Sequence, residues 1–229
     1  MIYWVQFPNT SKPIRSDFFL PCESTLLDRS KVLSTIDEKL NSKKGIRTLA
    51  LIGIGGAGKT TLARRYARSQ QNSVVWEVNA ESKESLIHSF ESLAHNLSKE
   101  EQEKVNLQGI LAIKELSIRE ERLLSFVKDK LREQDDWLLV YNNLDDMVQS
   151  QDYIPRDENT WGKGRVLITT TDSNIESNNF VDTAISIGEL SSEDKLSLFI
   201  RIMNNQEEIS KSKNLSEQTV MHPKNRTRG

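Results

Sequence analysis

The sequence has little of several features that mark specialised classes of protein. It contains a single cysteine, Cys22, so no disulfide can form within the chain, and this favours a reducing cytoplasm. No run approaches the roughly 18–20 apolar residues that a membrane helix needs. The apolar start lacks the basic region and the cleavage site of a signal peptide. The net charge is only −2, and there is no basic stripe, so we expect neither nucleic acid nor membrane as a partner.

What is present predicts one sizeable domain with short extensions. The chain has 229 residues, of which 36% are hydrophobic and 28% charged, a balance typical of a globular domain. Residues 1–24 contain three prolines and predict an extended lead-in segment. Residues 25–189 carry the main domain, and 190–204 the start of a helical subdomain. Residues 205–229 are polar and lack aromatic side chains, so we expect a disordered tail.

Hydrophobic patterning predicts strands that alternate with helices. The expected strands are residues 48–52, 74–78, 137–141, 165–169 and 184–187. The expected helices are residues 28–41, 59–69, 82–97, 117–132 and 191–203. Residues 98–116 are ambiguous, and 142–164 read as a long polar loop. This alternation predicts an α/β fold with a mainly parallel sheet, in which ligands bind at the carboxyl ends of the strands.

The segment from Gly53 to Thr60 fits the phosphate-binding pattern G-x-x-x-x-G-K-[ST] in full, between an expected strand and an expected helix. Its glycines let the backbone N–H groups wrap around phosphate, and the following helix aims its positive end at the same anion. Lys59 is expected to reach the β- and γ-phosphates, and Thr60 to offer its hydroxyl to Mg²⁺. The predicted nucleotide-binding residues here are Gly53, Gly55, Gly56, Ala57, Gly58, Lys59, Thr60 and Thr61.

Two other interpretations of the same glycines stay open. Gly53, Gly55 and Gly58 also fit G-x-G-x-x-G, the dinucleotide-binding pattern, with Glu77 or Glu81 near the place of its ribose-binding acid. That pattern leaves the Lys-Thr pair after the last glycine without a role. The segment can also be a glycine-rich turn that binds no ligand.

Further segments, taken in order, resemble the NB-ARC domain of STAND-class P-loop NTPases of the bacterial type. Pro21 to Arg29 resembles the entry segment that lies against adenine, with Arg29 matching and Asp28 in place of the usual Gly. The other resembling segments are 75–81 (second strand), 137–146 (Walker B segment), 164–172 (sensor strand) and 190–199 (first helix of the next subdomain). The resemblance covers about residues 20–200.

The resemblance implies a three-layer P-loop NTPase sandwich whose five-stranded parallel sheet has the order 5-1-4-3-2, counting the expected strands along the chain. It also implies that ATP or ADP is the ligand and that Arg29 helps to bind it. The sequence stops before the family's "GLPL" segment and winged-helix part, so we expect a truncated member.

Three departures from the family pattern fall on one side of the expected site. Asn142 replaces the Asp that ends the Walker B strand, and Asn143 follows it where an acid is common. Thr171 replaces the sensor Arg and cannot bring a cation to a γ-phosphate. We therefore assign no catalytic residue. We expect Mg²⁺ to be bound weakly, by Thr60 and to a lesser degree Asn142.

The leading hypothesis is thus a regulatory module that binds ADP or ATP and hydrolyses it poorly or not at all. A second is a working ATPase in which Asp145, Asp146 or Glu77 substitutes for the missing acid. A third is a truncated remnant that acts in protein contacts. Protein partners are expected, although the sequence does not identify them.

Overall fold

The computed structural model describes residues 12–22, 26–42 and 45–204. The described residues divide into two compact units. The first contains residues 12–19 and the chain from Ser30 to Glu189. The second contains the described residues between 20 and 29 and those from Leu190 onward. The predicted tail, 205–229, lies outside the described residues.

The first unit contains six strands and seven α-helices among its described residues. The strands are β1 (Ile14–Arg15), β2 (Arg47–Ile52), β3 (Val74–Asn79), β4 (Trp137–Asn142), β5 (Gly164–Thr170) and β6 (Thr183–Ser186). The helices are α1 (Ser30–Asn41), α2 (Lys59–Ser69), α3 (Lys83–Leu97), α4 (Glu101–Leu111), α5 (Leu116–Arg132), α6 (Met147–Ser150) and α7 (Glu158–Trp161).

All six strands form one parallel sheet in the order β1-β3-β4-β5-β2-β6. The five predicted strands are β2 to β6, and their order matches the predicted 5-1-4-3-2, so the fold class and the order are confirmed. In particular, β5 lies between β2 and β4. The strand count of five was wrong, because β1 adds a short sixth strand beside β3. The backbone pairing of Ile14 N–H with the Ser73 carbonyl, 2.9 Å, holds it there.

Helices cover both faces of the sheet, as side chains alternate along each strand. On one face, Leu49 and Leu51 of β2 pack in a core with Ile36 of α1 and Leu62 and Tyr66 of α2. On the other face, Ala50 and Ile52 belong to a second core. That second core also contains buried side chains of α3 and α5: Leu86, Phe90, Leu93, Ala94, Leu97, Leu123, Phe126, Val127 and Leu131. The predicted three-layer arrangement follows from these two cores.

Three local predictions need correction. The ambiguous stretch 98–116 contains helix α4. Because Leu107 is the one buried residue of this helix, its sequence shows little hydrophobic periodicity. The supposed polar loop 142–164 contains two short α-helices and a 3-10 helix (Gln151–Tyr153), and its Tyr153, Ile154 and Trp161 are buried. Helix α5 begins at Leu116, after Glu115 at its N-cap, and is not capped by Ser117 as predicted.

The second unit contains a helix over residues 192–204, which we call α8. The Ser191 hydroxyl accepts the Asp194 N–H at 3.0 Å, so the predicted cap at the start of this helix is present. The Arg201 guanidinium donates to the Leu26 carbonyl at 2.8 Å, which ties α8 to the other stretch of the same unit.

Candidate phosphate-binding site

The glycine-rich loop connects the buried end of β2 to the start of α2. Gly56 and Gly58 have φ values of +80° and +88°, a left-handed conformation that glycine adopts without steric cost. Gly53 is required for a different reason, since a Cβ there would lie 2.4 Å from the Ile187 carbonyl oxygen. The chain can therefore turn tightly at this point only with glycines, which explains part of the sequence pattern.

The start of α2 is open to an anion. Its N-cap is Gly58, which offers no side-chain hydrogen bond, and its first turn has no acidic residue. The first N–H groups of a helix have no intrahelical partner and carry the positive end of the helix dipole. Thr61 lies half-buried in this first turn. The combination of an uncapped helix start and a glycine loop is suited to phosphate.

Lys59 places a buried cation at the mouth of this loop. Lys59 is only 7% exposed. Its Nζ donates to the carbonyl oxygens of Gly53, at 2.7 Å, and Ile54, at 2.9 Å. Both acceptors are neutral, and a buried charge is costly unless an opposite charge balances it. The loop thus holds an ammonium group that an anion would neutralise.

Asn142 lies at the end of β4 and connects three elements. Its Oδ1 accepts the Thr60 hydroxyl of α2 at 2.8 Å and the Thr169 hydroxyl of β5 at 2.9 Å. The Thr169 hydroxyl in turn accepts the Asn143 N–H at 3.0 Å. Asn143 has a φ of 59° and an exposed side chain. The strand order places these groups together, since β5 lies between β2 and β4.

Asp145 joins the segment after β4 to the end of β5. Its Oδ1 accepts the Thr170 hydroxyl at 2.9 Å and the Thr171 N–H at 2.8 Å. Burial acts to raise the pKa of the Asp145 carboxyl, but the hydrogen bonds from Thr171 and Thr170 and the positive charge of Lys59 together hold it below its ordinary value. Asp145 is therefore ionised at neutral pH and feels the Lys59 charge.

The other two acidic side chains considered as substitutes for the Walker B Asp have structural roles. Glu77 of β3 forms a bidentate ion pair with Arg64 of α2, with three N–O distances of 2.7–3.0 Å. Asp146 caps α6 by accepting the Gln149 N–H at 3.0 Å.

The dinucleotide interpretation of the glycines loses its structural basis. It requires an acid at the end of the strand next to the glycine-loop strand. Here β3, which carries Glu77, is separated from β2 by β4 and β5, and Glu77 is paired with Arg64. Glu81 follows the same strand, so it is equally remote in the strand order.

Thr171 directly follows β5, and its side chain is exposed. The structure therefore places the sensor position at the same sheet edge as Asn142 and Asp145. Arg29 belongs to the second compact unit, and its role toward a nucleotide stays a prediction.

The residues that would hold Mg²⁺ do not fit that ion well. Mg²⁺ in phosphate sites is usually bound through one or two carboxylates. Here the Thr60 hydroxyl donates to an amide, and both lone pairs of the Asn142 oxygen receive hydroxyl protons. Among the described residues, no group of three or more His, Cys, Asp and Glu side chains is placed to hold a metal.

Two partners in this network were missed from the sequence, Thr169 and Thr170. A run of three threonines at the end of an expected strand is a weak signal by itself. It becomes informative only when β5 is known to lie beside β4, because Thr169 then faces the strand end that carries Asn142.

The described helices are too short or too polar to cross a membrane.

Three solved structures are similar to this chain, and the first of them supports the fold. Cdc6p from Pyrobaculum aerophilum superimposes with a TM-score of 0.54 at 15% identity, over 81% of this chain and 51% of that one. A STAND protein with a tetratricopeptide repeat sensor from Pyrococcus horikoshii matches at 0.45 and 18%, over 79% and 26%. The Aeropyrum pernix ORC2 protein, solved as ADPNP–ADP complexes, matches at 0.45 and 13%, over 81% and 54%. The chain thus spans about half of the Cdc6p and ORC2 chains and about a quarter of the STAND protein.

No curated protein matches the sequence. The model of the NB-ARC domain family, in contrast, matches residues 29–208, which is most of the chain. The matched range contains the glycine loop, the Asn142 strand end and the threonine run. The chain therefore belongs to the NB-ARC domain family, and the resemblance predicted from its sequence is confirmed.

Proposed function

We propose that this domain is a regulatory module that holds ADP or ATP in the Gly53–Thr60 loop and hydrolyses it poorly or not at all. The observation that carries the proposal is the buried Lys59 ammonium. It lies in a glycine loop at an uncapped helix start and contacts two neutral carbonyls. A phosphate group would neutralise this cation and accept the free N–H groups of α2. Membership of the NB-ARC family supports adenine as the base.

Weak hydrolysis follows from the opposite side of the site. An acid at the Walker B position steadies the metal that bridges the β- and γ-phosphates, and Asn142 carries no charge. Asn143 cannot accept a proton from an attacking water, and such base assistance is typically worth about 10²–10⁴ in rate. Thr171 brings no cation to the γ-phosphate. Each loss affects turnover and leaves the groups that hold the anion in place.

One observation favours a second candidate, an active ATPase. Burial acts to raise the pKa of the Asp145 carboxyl, but the hydrogen bonds from Thr171 and Thr170 and, last, the charge of Lys59 lower it, so the Asp145 charge acts within the site. Its Oδ1 accepts hydrogen bonds from Thr170 and Thr171, which hold the carboxylate at the ends of β4 and β5. The ATPase hypothesis therefore depends on Asp145 more than on Asp146 or Glu77. The third hypothesis, a remnant used in protein contacts, predicts no nucleotide binding.

Calorimetric titration of the full chain with ADP and with ATP tests the proposal. We expect binding of both nucleotides, and at least about tenfold weaker binding by Lys59→Ala, because a charge-assisted contact to phosphate is lost. Arg68→Ala is the matched control, since Arg68 is an exposed cation at the far end of the same helix. Equal affinity in the natural chain and Lys59→Ala would refute the loop as the binding site. Failure of the natural chain to bind either nucleotide would favour the remnant hypothesis.

A further inference from the structure

We propose that this domain binds its nucleotide as the metal-free anion, and that Asn142 sets this specificity. The inference rests on the proposed nucleotide-binding function and concerns the Mg²⁺ ion that usually accompanies a nucleotide. The hydrogen bonds of Asn142 leave no acceptor for the water ligands of that ion.

The oxygen of Asn142 has no free acceptor capacity. An amide oxygen has two lone pairs, and here the Thr60 and Thr169 hydroxyls donate to both, at 2.8 and 2.9 Å. A carboxylate in the same place would have a second oxygen to accept protons from metal-bound water. In the Asn142 amide, the position of that second oxygen is taken by an NH₂ group, which donates hydrogen bonds and does not accept them. A hydrated Mg²⁺ ion would thus meet donors where its water ligands need acceptors.

The orientation of the amide is held by the neighbouring backbone. The Thr169 hydroxyl oxygen accepts the Asn143 N–H at 3.0 Å, so its own proton is directed to the Asn142 oxygen. A rotated amide would place its NH₂ group against the Thr60 and Thr169 hydroxyls, and both hydroxyl protons would lose the acceptor they have in the structure. The donor side of Asn142 therefore stays the side left free by Thr60 and Thr169.

The charges around the loop also favour an anion without its metal. Lys59 supplies a buried positive charge, and the uncapped start of α2 adds a positive potential. The nearby acid Asp145 uses one carboxylate oxygen to hold Thr170 and Thr171. Replacement of the usual Asp by Asn142 removes one negative charge from this balance. The groups that bind phosphate are therefore present, whereas the carboxylate that would steady Mg²⁺ is absent from position 142.

The test is a calorimetric titration of the full chain with ADP in excess Mg²⁺ and in EDTA. We expect dissociation constants that agree within about twofold, or weaker binding with Mg²⁺, because no acceptor steadies the metal. At least tenfold tighter binding with Mg²⁺ would overturn the inference and leave the proposed function intact. No ADP binding in either buffer would overturn both.

Two variants sharpen the result. Asn142→Asp should bind ADP at least tenfold more tightly with Mg²⁺ than with EDTA, since groups behind a metal typically change its affinity about 10–100-fold. Asn79→Asp is the matched control, because Asn79 is the register partner of Asn142 on β3 and is exposed. It should leave the Mg²⁺ response unchanged, and a gain equal to that of Asn142→Asp would show that added charge, not position, decides. Circular dichroism establishes that each variant is folded, and the Mg²⁺/EDTA comparison on the natural chain decides the proposal without them.

Discussion

The two sides of the candidate site differ in what they retain. The side formed by the glycine loop and α2 has each group that phosphate requires: left-handed glycines, an uncapped helix start and a buried lysine. The side formed by the ends of β4 and β5 has neutral hydroxyl and amide groups, such as those of Thr169 and Asn142. Charged groups would be needed in these positions to bind a metal and a γ-phosphate. Under the proposed function, anion binding depends on the loop after β2, whereas turnover depends on the ends of β4 and β5. Turnover could then be lost from this fold while anion binding is retained.

The largest expected effect comes from the packing of the glycine loop. In Gly53→Ala, the new Cβ would lie 2.4 Å from the backbone oxygen of Ile187, so β2 or the end of β6 must shift. We expect a loss of about 2–3 kcal/mol in the free energy of unfolding, as for other overpacked sites, together with loss of ADP binding.

Gly55→Ala is the matched control, since no atom lies within 4 Å of a Cβ at Gly55. Thermal denaturation without nucleotide should give a change of less than about 0.5 kcal/mol for this variant. Equal melting temperatures for the two variants would show that the contact at Gly53 does not constrain the loop.

An intermediate effect is expected at the sensor position. The Thr171 side chain is exposed at the end of β5, so a longer side chain has room. Thr171→Arg should favour ATP over ADP by roughly fivefold, because a net hydrogen bond is worth about 1 kcal/mol. The ratio of the two dissociation constants measures the effect. Thr171→Gln adds length without charge and should leave the ratio unchanged; a matching gain there would remove charge as the cause.

The smallest effect concerns Asp145. Its pKa is lowered in the folded chain, so its ionised form stabilises the fold above the ordinary Asp pKa, and this contribution is lost as pH falls through the folded value. Because the residue is exposed and screened by solvent, Asp145→Asn should cost only about 0.5 kcal/mol at pH 7. The difference from the natural chain should begin to shrink as pH falls below the ordinary Asp pKa of about 3.9 and should disappear below the lower pKa of the folded chain.

Chemical denaturation across this pH range measures the Asp145 effect. Asp146→Asn is the control, because Asn caps a helix about as well as Asp, so its cap on α6 is retained. A pH-independent loss in Asp145→Asn would mean that hydrogen-bond geometry, and not charge, stabilises the β4–β5 connection.

Most of the fold could be predicted because its strands are buried and strongly patterned. β1 could not, because two residues carry no periodicity, and its place is set by backbone pairing with β3. Helix α4 was missed because it buries little apolar surface and its capping box uses Glu100 and Glu103, where serine or threonine is the usual signal. A contact with a distant strand thus defines β1, and an uncommon cap marks the start of α4.

The site was predictable where a local motif describes it and not where it depends on the sheet. Lys59 and Thr60 follow from one continuous pattern. The bonds from Thr169 to Asn142 and from Thr170 to Asp145 join segments 25 or more residues apart. They depend on β5 lying beside β4, so a motif read along one strand cannot show them. Charge differences such as Asn142 for Asp are visible in the sequence, but their hydrogen-bond consequences require the structure.

The most direct test of the account is the fate of ATP bound to the natural chain. Radiolabelled ATP is incubated with excess protein and Mg²⁺, and the bound nucleotide is then released and separated. The account predicts that the recovered nucleotide is still ATP, at a rate of conversion no higher than that of Lys59→Ala. Conversion to ADP at an ordinary ATPase rate, abolished in Lys59→Ala and in Asp145→Asn, would contradict the account and assign the missing acid to Asp145.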